Sequence, residues 1–549
     1  MKKILFLLPF VLLSCSDESF SDIPEQPSES SSQVEESTGL TTVRLADFAG
    51  DPSRVSYPAI TRAEAITPEP GTLQLIASIA NPSKAEGFNF VKETDGRYMS
   101  ASSVYYNEKE DKYYVTYHMQ GNNYNTTLGN DIAGAIQSFT INENAVNNEE
   151  KVILGTGFRA SDPKKEDYDF NHLYFDNTDQ RIIVVGHNWK VPSTWTSEEE
   201  YTGERDNTRA IIGEFNPTTG TLNYKGIDTN EKEYDKTTGK SLGYKDAGDA
   251  NCVIRANDTP SAVDGVPSGY PNYYVTTRKG IAVLSADAQT LFKPARNEDG
   301  SNYFVPTPGS AKFIFDTPRT GSMMDILYLA EETGKGESYE KSSKAKIAQF
   351  QVTPGLTGSY VFMKPSSPVT YYNSNDLNIL NYEKQEEISE PVSPIDGKNT
   401  LYVLEDYEYY AALGTGGMYY TFIGADSKRP YKGVMKFGNR PVNCVVAERP
   451  EFESGHDGFI YVANGSKLTI LHRRTMEEIV SWNMPSKDEE GNDIESSANY
   501  ITVRKGPADK DNFTPRERII TVAFGQAGVK IFKFIPTTKT VWEHSDGIQ

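Results

Sequence analysis

The sequence predicts an all-β protein, a seven-bladed β-propeller of four-stranded antiparallel blades preceded by a disordered tether. Three observations predict this fold. Short strands rich in Tyr and β-branched residues recur along the chain between clusters of Gly, Pro and Asn, which is typical of antiparallel sheet. The strands recur in a fixed order within each unit, and no segment between them shows a helical period. Seven such units of four strands fit a closed propeller, in which each blade packs on the next.

The first 14 residues predict a secretory signal peptide. Met1-Lys2-Lys3 is basic, residues 4–13 are apolar, and this run is shorter than the roughly 20 residues that a membrane-spanning helix needs. Leu12-Leu13-Ser14-Cys15 resembles the lipobox of bacterial lipoproteins, which implies that Cys15 is acylated and becomes the mature N-terminus. The alternative is an ordinary signal peptide with a chance cysteine.

Residues 15–70 form the predicted tether, and residues 71–549 form the predicted propeller. The tether is rich in Ser, Glu, Pro and Thr, a composition that buries too little apolar surface to offset the entropy of ordering. Ser16-Asp17-Glu18 resembles the acidic export signal of Bacteroidota surface lipoproteins. This resemblance implies a lipid-anchored protein of the outer membrane that faces the cell exterior.

Charge and cysteine content exclude several classes of protein. Acidic residues outnumber basic residues by 76 to 55, and the net charge of −21 argues against binding to nucleic acid or to an anionic lipid surface. Apart from Cys15 the cysteines are Cys252 and Cys444, which lie in the third and sixth units. Because a disulfide needs Cα atoms within about 7 Å, the sequence predicts two free, buried thiols.

The repeat is clearest in the last two units, which start at Asn443 and Asn499. The template is Asn-x-apolar-x, a polar loop, an aromatic or β-branched strand, a Gly turn and an alternating strand. Asn171 and Asn251 start two further copies, and weaker copies start near Ser102, Ala311 and Ser393, with second strands at 112–116, 326–330 and 400–404. The recurring asparagines are predicted to cap the inner strands through side-chain to backbone hydrogen bonds.

Two points of the architecture stay open in the sequence. Residues 72–77 fit an outer strand beside residues 528–534, and residues 540–543 fit the same place, so either chain end could close the ring. A long array of β-sandwiches is the alternative fold, although the repeated Asn-x-apolar start and the constant strand order count against it.

Parts of the last two units resemble a known repeat family. Ile460-Tyr461-Val462-Ala463 and residues 522–531 resemble the LVIVD-type propeller repeats of bacterial surface proteins, and the other five units resemble them more loosely. That family has no shared catalytic motif, so the resemblance concerns the fold. More distantly, the chain resembles propeller lipoproteins that capture ligands beside outer-membrane transporters, which implies such a transporter as a partner.

One face of the propeller is the predicted binding surface. It contains the loops between strands two and three and between strands four and one of each unit. The residues at the end of strand two are His118, His187, Arg278, Glu332, Asp406, Gly465 and Gly525. Units one to five are therefore predicted to form a crescent of ionisable side chains, while the last two units present glycine.

Four long inserts are predicted on the same face, at residues 118–132, 187–209, 332–346 and 406–417. Long loops in compact domains are often functional, and aromatic rings beside polar groups suit sugar rings, flat cofactors or a protein partner. The alternative is that the rings pack under their own loops. The predicted ligand-binding residues are His118, Tyr124, His187, Trp189, Trp195, Tyr201, Arg278, Glu332, Asp406, Tyr407 and Tyr409.

The sequence predicts no catalytic residue, metal site or cofactor. His118 and His187 have no third metal ligand at a fixed spacing, and neither a nucleophile elbow nor a phosphate loop occurs. The carboxylates near Glu332 and Asp406 leave open a pair for glycoside hydrolysis, which needs a separation of roughly 5 to 9 Å.

We therefore expect a non-enzymatic surface lipoprotein that binds a glycan, a small nutrient or a protein on its loop-rich face. One alternative is a propeller hydrolase or lyase that acts on an extracellular polysaccharide. Another is a scaffold that contacts an outer-membrane transporter.

Overall fold

The computed structural model describes the strands and turns of the chain. The described residues are 41–44, 60–62, 71–81, 84–85, 88–89, 91–92, 97–120, 131–132, 134–142, 145–146, 151–154, 157–158, 167–176, 180–189, 208–255, 272–285, 293–294, 302, 304–307, 310–317, 324–332, 344–354, 361–364, 400–405, 408–421, 432–448, 458–487, 496–506 and 516–536. All the regular elements among them are β-strands. In this part of the chain no helix is long and apolar enough to cross a membrane.

The strands follow one another closely along the chain. The first twenty are β1 (Thr41–Arg44), β2 (Ile60–Arg62), β3 (Thr72–Ile79), β4 (Lys84–Ala85), β5 (Phe88–Asn89), β6 (Val91–Lys92), β7 (Arg97–Asn107), β8 (Lys112–Gln120), β9 (Asp131–Ile132), β10 (Gly134–Phe139), β11 (Ile141–Asn142), β12 (Ala145–Val146), β13 (Lys151–Leu154), β14 (Gly157–Phe158), β15 (Asp167–Asp176), β16 (Arg181–Trp189), β17 (Thr208–Asn216), β18 (Thr221–Gly226), β19 (Asp228–Tyr234) and β20 (Ser241–Asp246).

The second half of the chain continues the series. Its strands are β21 (Ala250–Arg255), β22 (Asn272–Thr277), β23 (Gly280–Ser285), β24 (Lys293–Pro294), β25 (Phe304–Pro306), β26 (Ser310–Thr317), β27 (Met324–Glu332), β28 (Lys344–Pro354), β29 (Val361–Lys364), β30 (Leu401–Glu405), β31 (Glu408–Ala412), β32 (Met418–Thr421), β33 (Lys432–Met435), β34 (Val442–Ala447), β35 (Phe459–Asn464), β36 (Lys467–His472), β37 (Glu478–Asn483), β38 (Tyr500–Lys505), β39 (Arg518–Ala523) and β40 (Val529–Ile535).

Most strands belong to antiparallel sheets of four or five strands, which we number along the chain. Sheet 1 contains β6, β7, β8, β10 and β13; sheet 2 contains β15–β18 and β1; sheet 3 contains β21–β25; sheet 4 contains β26–β29; sheet 5 contains β30–β33; sheet 6 contains β34–β37; and sheet 7 contains β38–β40, β3 and β2. The remaining strands form the two-stranded pairs β4–β5, β9–β14, β11–β12 and β19–β20. The molecule is an all-β propeller of small antiparallel sheets.

The faces of neighbouring sheets pack on each other, which explains the apolar strands. In β35 and β39 every residue is buried, because these strands lie in the middle of sheets that are covered on both faces. Five apolar clusters join sheets 5 and 6, 6 and 7, 7 and 1, 1 and 2, and 2 and 3. Sheet 4 has described side chains in its inner strand only. The apolar clusters of the described residues therefore join six sheets into a series. The sequence predicts seven blades, which is one more.

The N-terminal side of the chain closes sheet 7. Strand β3 pairs antiparallel with β40, from Thr72 opposite Ile535 to Ile79 opposite Val529. Of the two predicted closures, the structure therefore has the one through residues 72–77, while residues 540–543 lie outside the described residues. Strands β1 and β2 add fifth strands to sheets 2 and 7, so the predicted tether is wrong at these seven residues.

The repeated asparagines tie each inner strand to the next sheet. The side-chain amides of Asn171, Asn251, Asn443 and Asn499 donate to the backbone oxygens of Ala250, Ala311, Ala498 and Ala101, at 2.9, 2.6, 3.0 and 3.0 Å respectively. Asn171, Asn251 and Asn443 each occupy a β-bulge, where the ladder shifts by one residue. The prediction of side-chain to backbone bonds is confirmed, and the structure adds that these bonds cross between sheets.

Candidate functional site

The turns between second and third strands lie at the rim where the inner strands begin. The backbone of Gly525 pairs with Ala101 at the start of sheet 1, and Gly414 pairs with Val442 at the start of sheet 6. We call this edge of the propeller the upper rim. It is the face on which the sequence predicts the binding surface.

Four of the five predicted crescent residues end second strands at the upper rim. His118 lies in β8 and His187 in β16, Arg278 follows β22, and Glu332 is the last residue of β27. Arg278 is exposed and the His187 side chain is 22% exposed, whereas the side chains of His118 and Glu332 are not described. These four positions agree with the prediction.

The prediction for the fifth unit is wrong. The segment predicted as its second strand is β30, which is the innermost strand of sheet 5, and the second strand is β31. Tyr409 lies inside β31, is 2% exposed and packs near Tyr419, so it is a core residue and not a ligand-binding one. The end of β30 and the start of β31, where Glu405 pairs with Glu408, lie at the opposite rim. Asp406 and Tyr407, assigned to the binding face, lie outside the described residues.

Three sheets present tight glycine turns at the upper rim. Gly414, Gly465 and Gly525 have φ of +57°, +59° and +52°, a backbone conformation that glycine adopts at little cost. The crescent can therefore include only sheets 1 to 4, because sheet 5 has a short turn like those of sheets 6 and 7. Of the other predicted residues, Tyr124, Trp195, Tyr201 and Cys15 lie outside the described residues, and Trp189 is described as backbone only.

At the junction of sheets 2 and 3, His187 belongs to a polar group. Its Nδ1 lies 3.0 Å from Oδ1 of Asp249, and the side-chain amide of Asn171 donates to the same oxygen at 2.8 Å. The His187 and Asp249 side chains are 22% and 30% exposed. A carboxylate at this distance favours a proton on Nδ1 and orients the imidazole ring.

Asp249 is the residue that sequence reasoning missed. It lies two residues before the repeated Asn251, in the connection from sheet 2 to sheet 3. In sheet 7, Ser497 holds the same place and accepts a hydrogen bond from Asn443 at 2.8 Å. The sequence therefore contains a signal in these two units: the polar residue two positions before Asn251 and before Asn499 contacts the asparagine of the preceding sheet.

A two-stranded ribbon, β19–β20, rises from the same connection. The amide of Asn302, two residues before β25 of sheet 3, donates to the backbone oxygen of Thr229 at 3.0 Å, and Thr229 is buried at the base of the ribbon. Beyond Thr229 the ribbon is largely exposed. Tyr234 and Leu242 are 55% and 62% exposed, and they are the exposed large apolar residues among the described ones.

The two faces of the ribbon differ. Lys232 pairs with Tyr244 across the ribbon and its Nζ lies 5.8 Å from the ring centroid, and strand alternation places Tyr234 on this face as well. On the other face, Nζ of Lys245 lies 2.8 Å from a carboxylate oxygen of Glu231. One face is therefore aromatic and the other is charged.

Asp246 ends the ribbon next to the His187 group. Its Oδ1 accepts hydrogen bonds from the backbone N–H groups of Gly248 at 2.7 Å and Ala210 at 3.1 Å. Burial nevertheless raises the pKa of Asp246 to about 7. Protonation of this carboxyl near neutral pH therefore changes the charge at the base of the ribbon.

Asp246→Asn is expected to stabilise the protein in a pH-dependent way. Because the pKa of Asp246 is higher in the folded than in the unfolded chain, its contribution to stability is lost as the pH rises through about 7. The amide keeps an oxygen acceptor and cannot ionise. In urea unfolding the advantage of the variant over the wild type should grow from about pH 4 to pH 7 and then level off.

Asp235 supplies the matched control for this prediction. The backbone N–H groups of Thr238 and Thr237 hold the pKa of Asp235 below its usual value. Asp235→Asn should therefore lose stability above pH 4 instead of gaining it. An advantage of Asp246→Asn that does not change with pH would contradict the prediction.

Aromatic side chains of the inner strands β7, β15, β26 and β38 meet at the propeller axis. The Tyr105 ring centroid lies 5.1 Å from that of His172 and 5.0 Å from that of Tyr500, and His172 lies 5.8 Å from Phe313. These rings come from sheets 1, 2, 4 and 7, which include sheets that are not neighbours in sequence. Among the described residues, these aromatic side chains therefore fill the axis at the height of Tyr105 and His172.

Cys252 and Cys444 also face this axial cluster. Both are free and buried, as predicted. Burial raises the pKa of the Cys444 thiol to about 12, against weaker effects of hydrogen bonds with Thr400 and the backbone of Ile501. A thiol that stays protonated and buried is a poor nucleophile.

Both thiols are expected to resist alkylation in the folded protein. With iodoacetamide at pH 8, Cys252 and Cys444 should stay unmodified for hours, because both are buried and the Cys444 thiol also stays protonated. In denaturant without reductant, both should react. Peptide mapping by mass spectrometry measures each site, and two unreactive cysteines in denaturant would show that a disulfide exists after all.

Three buried ion pairs lie at the opposite, lower rim. They join Asp176 to Arg255, Glu408 to Arg473, and Glu448 to Arg518, and a tyrosine hydroxyl donates to each carboxylate, from Tyr273, Tyr410 and Tyr461. Each pair links two neighbouring sheets. The charges of these ionisable groups are thus paired inside the fold. The part of the chain that is described contains no cluster of three or more potential metal ligands.

The fold and the upper rim define a β-propeller protein with a polar group and an exposed ribbon at one junction. No family model and no curated protein matches the chain. Among solved structures it is similar to Saccharomyces cerevisiae Sqt1, with 10% identity and a TM-score of 0.38 over 81% of this chain and 98% of that one. It is also similar to BBS1N from a complex with ARL6DN, at 8% identity and a TM-score of 0.33 over 74% and 90% of the two chains. The AfRom2 CNH domain matches at 10% identity and a TM-score of 0.33 over 85% and 99%. These likenesses concern the fold alone.

Proposed function

We propose that this protein is a non-enzymatic binding protein that captures a ligand or a protein partner at the junction of sheets 2 and 3 on the upper rim. One observation carries the proposal: the polar group of His187, Asp249 and Asn171 lies at the base of the ribbon that exposes Tyr234 and Leu242. A partly exposed polar group beside exposed apolar side chains combines the contacts that fix orientation with those that contribute affinity.

The double variant Tyr234→Ala/Leu242→Ala is expected to weaken binding by about tenfold or more, since exposed aromatic anchors dominate binding energy. A glycan array and a thermal-shift panel of sugars, amino acids and cofactors supply the probes. Tyr106→Ala is the matched control, because Tyr106 is a partly exposed tyrosine at the lower rim, bonded to Asp111. Binding that is equal in the wild type and both variants would place the site elsewhere.

His187→Ala separates binding from catalysis. In a binding protein this variant should lose affinity, and the wild type should leave every bound probe chemically unchanged. Turnover of a polysaccharide by the wild type that disappears in His187→Ala would replace the proposal with the hydrolase or lyase alternative.

We also infer that the sheets are seven blades of one ring, with LVIVD-like repeats. The inner strands β7, β15, β21, β26, β30, β34 and β38 contact one another in this order, and β38 contacts β7, which supports a closed series that includes sheet 4. A radius of gyration from X-ray scattering on a variant that lacks residues 1–39 would distinguish a compact ring from an extended array.

The proposed location is the outer membrane, with an acylated Cys15 as anchor and an outer-membrane transporter as a partner. The lipobox-like Leu12-Leu13-Ser14-Cys15 supports the anchor. Metabolic labelling with an alkyne fatty acid should mark the wild type and not Cys15→Ser. Equal labelling of both would remove this part of the proposal.

A further inference from the structure

A buried histidine joins the inner strands of sheets 2 and 3 near the propeller axis. His172 follows the repeated Asn171 in β15 and is 6% exposed. The backbone N–H of Val253 in β21 donates to Nδ1 of His172 at 3.3 Å. Because a ring nitrogen that accepts a hydrogen bond carries no proton, this contact requires the neutral ring with its proton on Nε2.

Two other junctions have the equivalent bond from a different side chain. Thr400 directly precedes β30, and its hydroxyl accepts the backbone N–H of Val445 at 3.0 Å between sheets 5 and 6. The Cys444 thiol is hydrogen-bonded to the backbone of Ile501 between sheets 6 and 7. Val253, Val445 and Ile501 each lie two residues after a repeated asparagine. The three bonds are therefore copies of one contact, and they differ in the acceptor.

Of these three acceptors, the imidazole is the one that changes its charge near neutral pH. The threonine hydroxyl does not titrate, and burial raises the pKa of the Cys444 thiol to about 12. An unperturbed histidine titrates near pH 6.5. Protonation turns Nδ1 of His172 from an acceptor into a donor, which then faces the N–H of Val253. The bond between sheets 2 and 3 is therefore the one of the three that acid breaks.

Aromatic rings and thiols surround His172. The ring centroids of Tyr105 in β7 and Phe313 in β26 lie 5.1 and 5.8 Å from that of His172, both in edge-to-face contact. The titratable groups that face this cluster from other inner strands are tyrosines and thiols, namely Tyr105, Tyr500, Cys252 and Cys444. Burial raises the pKa of both tyrosines well above 10, so their hydroxyls stay neutral. A proton on Nδ1 therefore places a charge among aromatic side chains, where burial disfavours it.

The charged groups of this junction at the upper rim respond to acid in the opposite direction. Burial raises the pKa of Asp246 to about 7, so a fall in pH removes both its charge and the cost of burying that charge. Protonated His187 gains a charge 3.0 Å from the carboxylate oxygen of Asp249. Acid therefore favours the folded form of these rim groups, whereas it disfavours the folded form of His172.

We propose that His172 is a pH-sensitive switch, which loosens the junction of sheets 2 and 3 when Nδ1 takes up a proton and so opens the binding site at the upper rim. Asn171 connects the switch to the site, because its amide donates to Asp249 and the next residue is His172. The same amide also donates to the backbone oxygen of Ala250, which lies in β21 with Val253. This regulation rests on the function proposed for the junction.

The proton equilibrium gives the expected size of the effect. The folded chain requires the neutral ring and the opened chain does not, so the stability of the junction is lost as the pH falls below about 6.5. If the opened junction alone takes up the proton, its population rises about 25-fold between pH 7 and pH 5.

Hydrogen exchange of the three equivalent amides in the full-length wild type tests the proposal. Mass spectrometry with single-residue fragmentation measures Val253, Val445 and Ile501 at pH 7 and pH 5, each corrected for the intrinsic exchange rate. From pH 7 to pH 5 the protection of Val253 should fall about 25-fold, and that of the other two amides by less than about threefold. Equal changes at all three amides, or no change at Val253, would overturn the proposal.

Two variants separate the histidines of this junction. His172→Asn keeps an oxygen acceptor close to the place of Nδ1 and cannot ionise, so the acid effect on Val253 should disappear. His187→Asn is the matched control and should keep the acid effect. An acid effect on Val253 that survives in His172→Asn would contradict the assignment. The comparison of three amides in the wild type needs no variant, so a folding defect cannot obscure it.

The amide of Ala247 shows whether the opening reaches the binding site. It donates to the backbone oxygen of Ile227 at the base of the ribbon, at 2.9 Å. Its protection should fall together with that of Val253, an effect that Asp246 cannot cause because acid relieves the cost of its burial. Loss of protection at Val253 alone would overturn the regulation of the site. Neither measurement uses a ligand, so the binding proposed for the ribbon is tested separately by Tyr234→Ala/Leu242→Ala.

Discussion

Gly528→Ala is expected to destabilise the protein by roughly 3–5 kcal/mol, near the upper limit for one substitution. Gly528 has a φ of +74°, and a Cβ there would overlap the backbone oxygen of Ile79. This contact cannot relax cheaply, because Ile79 is in β3 and the pairing of β3 with β40 closes sheet 7. Urea unfolding measures the loss, and faster hydrogen exchange in β3 would locate it.

Gly438→Ala is the matched control. Gly438 has a φ of +66°, but a Cβ there would meet nothing within 4 Å. It should cost only the strain of a positive φ, about 1 kcal/mol. If the two variants lose the same stability, the carbonyl of Ile79 moves aside easily and β3 does not hold the closure rigidly.

Arg518→Met is expected to cost about 3–5 kcal/mol, because it removes the arginine that pairs with the buried Glu448 carboxylate. Among the described residues, only the Tyr461 hydroxyl and Lys505, whose Nζ lies 3.8 Å away, then remain beside this charge. Nε and Nη2 of Arg518 lie 3.1 and 2.8 Å from the two carboxylate oxygens of Glu448, and both residues are buried. Burial raises the pKa of Glu448, but Arg518, Lys505 and Tyr461 outweigh it and hold this pKa below its usual value. Thermal and urea unfolding of the variant measure the loss.

The sign of the pH dependence gives a second readout. In the wild type the pair contributes stability above about pH 4, the pKa of an unfolded glutamate, and this contribution is lost as the pH falls through the lower folded pKa. In Arg518→Met, burial should raise the pKa of Glu448, so acid should stabilise the variant relative to neutral pH.

Two further variants serve as controls for Arg518→Met. The double variant Arg518→Met/Glu448→Leu removes both charges and should recover much of the lost stability. Lys245→Met breaks the exposed pair with Glu231 and should change stability little, since water already solvates both groups. A small effect of Arg518→Met alone would show that Glu448 takes up a proton at little cost.

In sheet 5 the local sequence pattern does not identify the second strand correctly. β30 and β31 are both short and rich in tyrosine and apolar residues, and each fits the template of a second strand. The predicted second strand, residues 400–404, is β30, and this choice placed Asp406, Tyr407 and Tyr409 on the binding face. Packing decides between them: β30 is innermost and β31 is covered on both faces, with every residue buried. No spacing along the chain contains that information.

The candidate site was only partly predictable for a related reason. His187 follows from the repeat, because its position is the end of a second strand. Asp249 and the ribbon lie in a connection whose length is not repeated elsewhere, and their proximity to His187 arises from two sheets that meet at the rim. Connections of this kind depend on contacts between residues far apart in sequence.

By itself the sequence determined most strands of the sheets, the glycine turns of sheets 6 and 7, the asparagine bonds and the free thiols. Each of these follows from side-chain type and local spacing, which act within one strand or turn. Only the tertiary structure decided which strand of sheet 5 is innermost, which chain end closes sheet 7, and that Asp249 faces His187. These outcomes depend on the burial of surfaces that come together only when sheets pack.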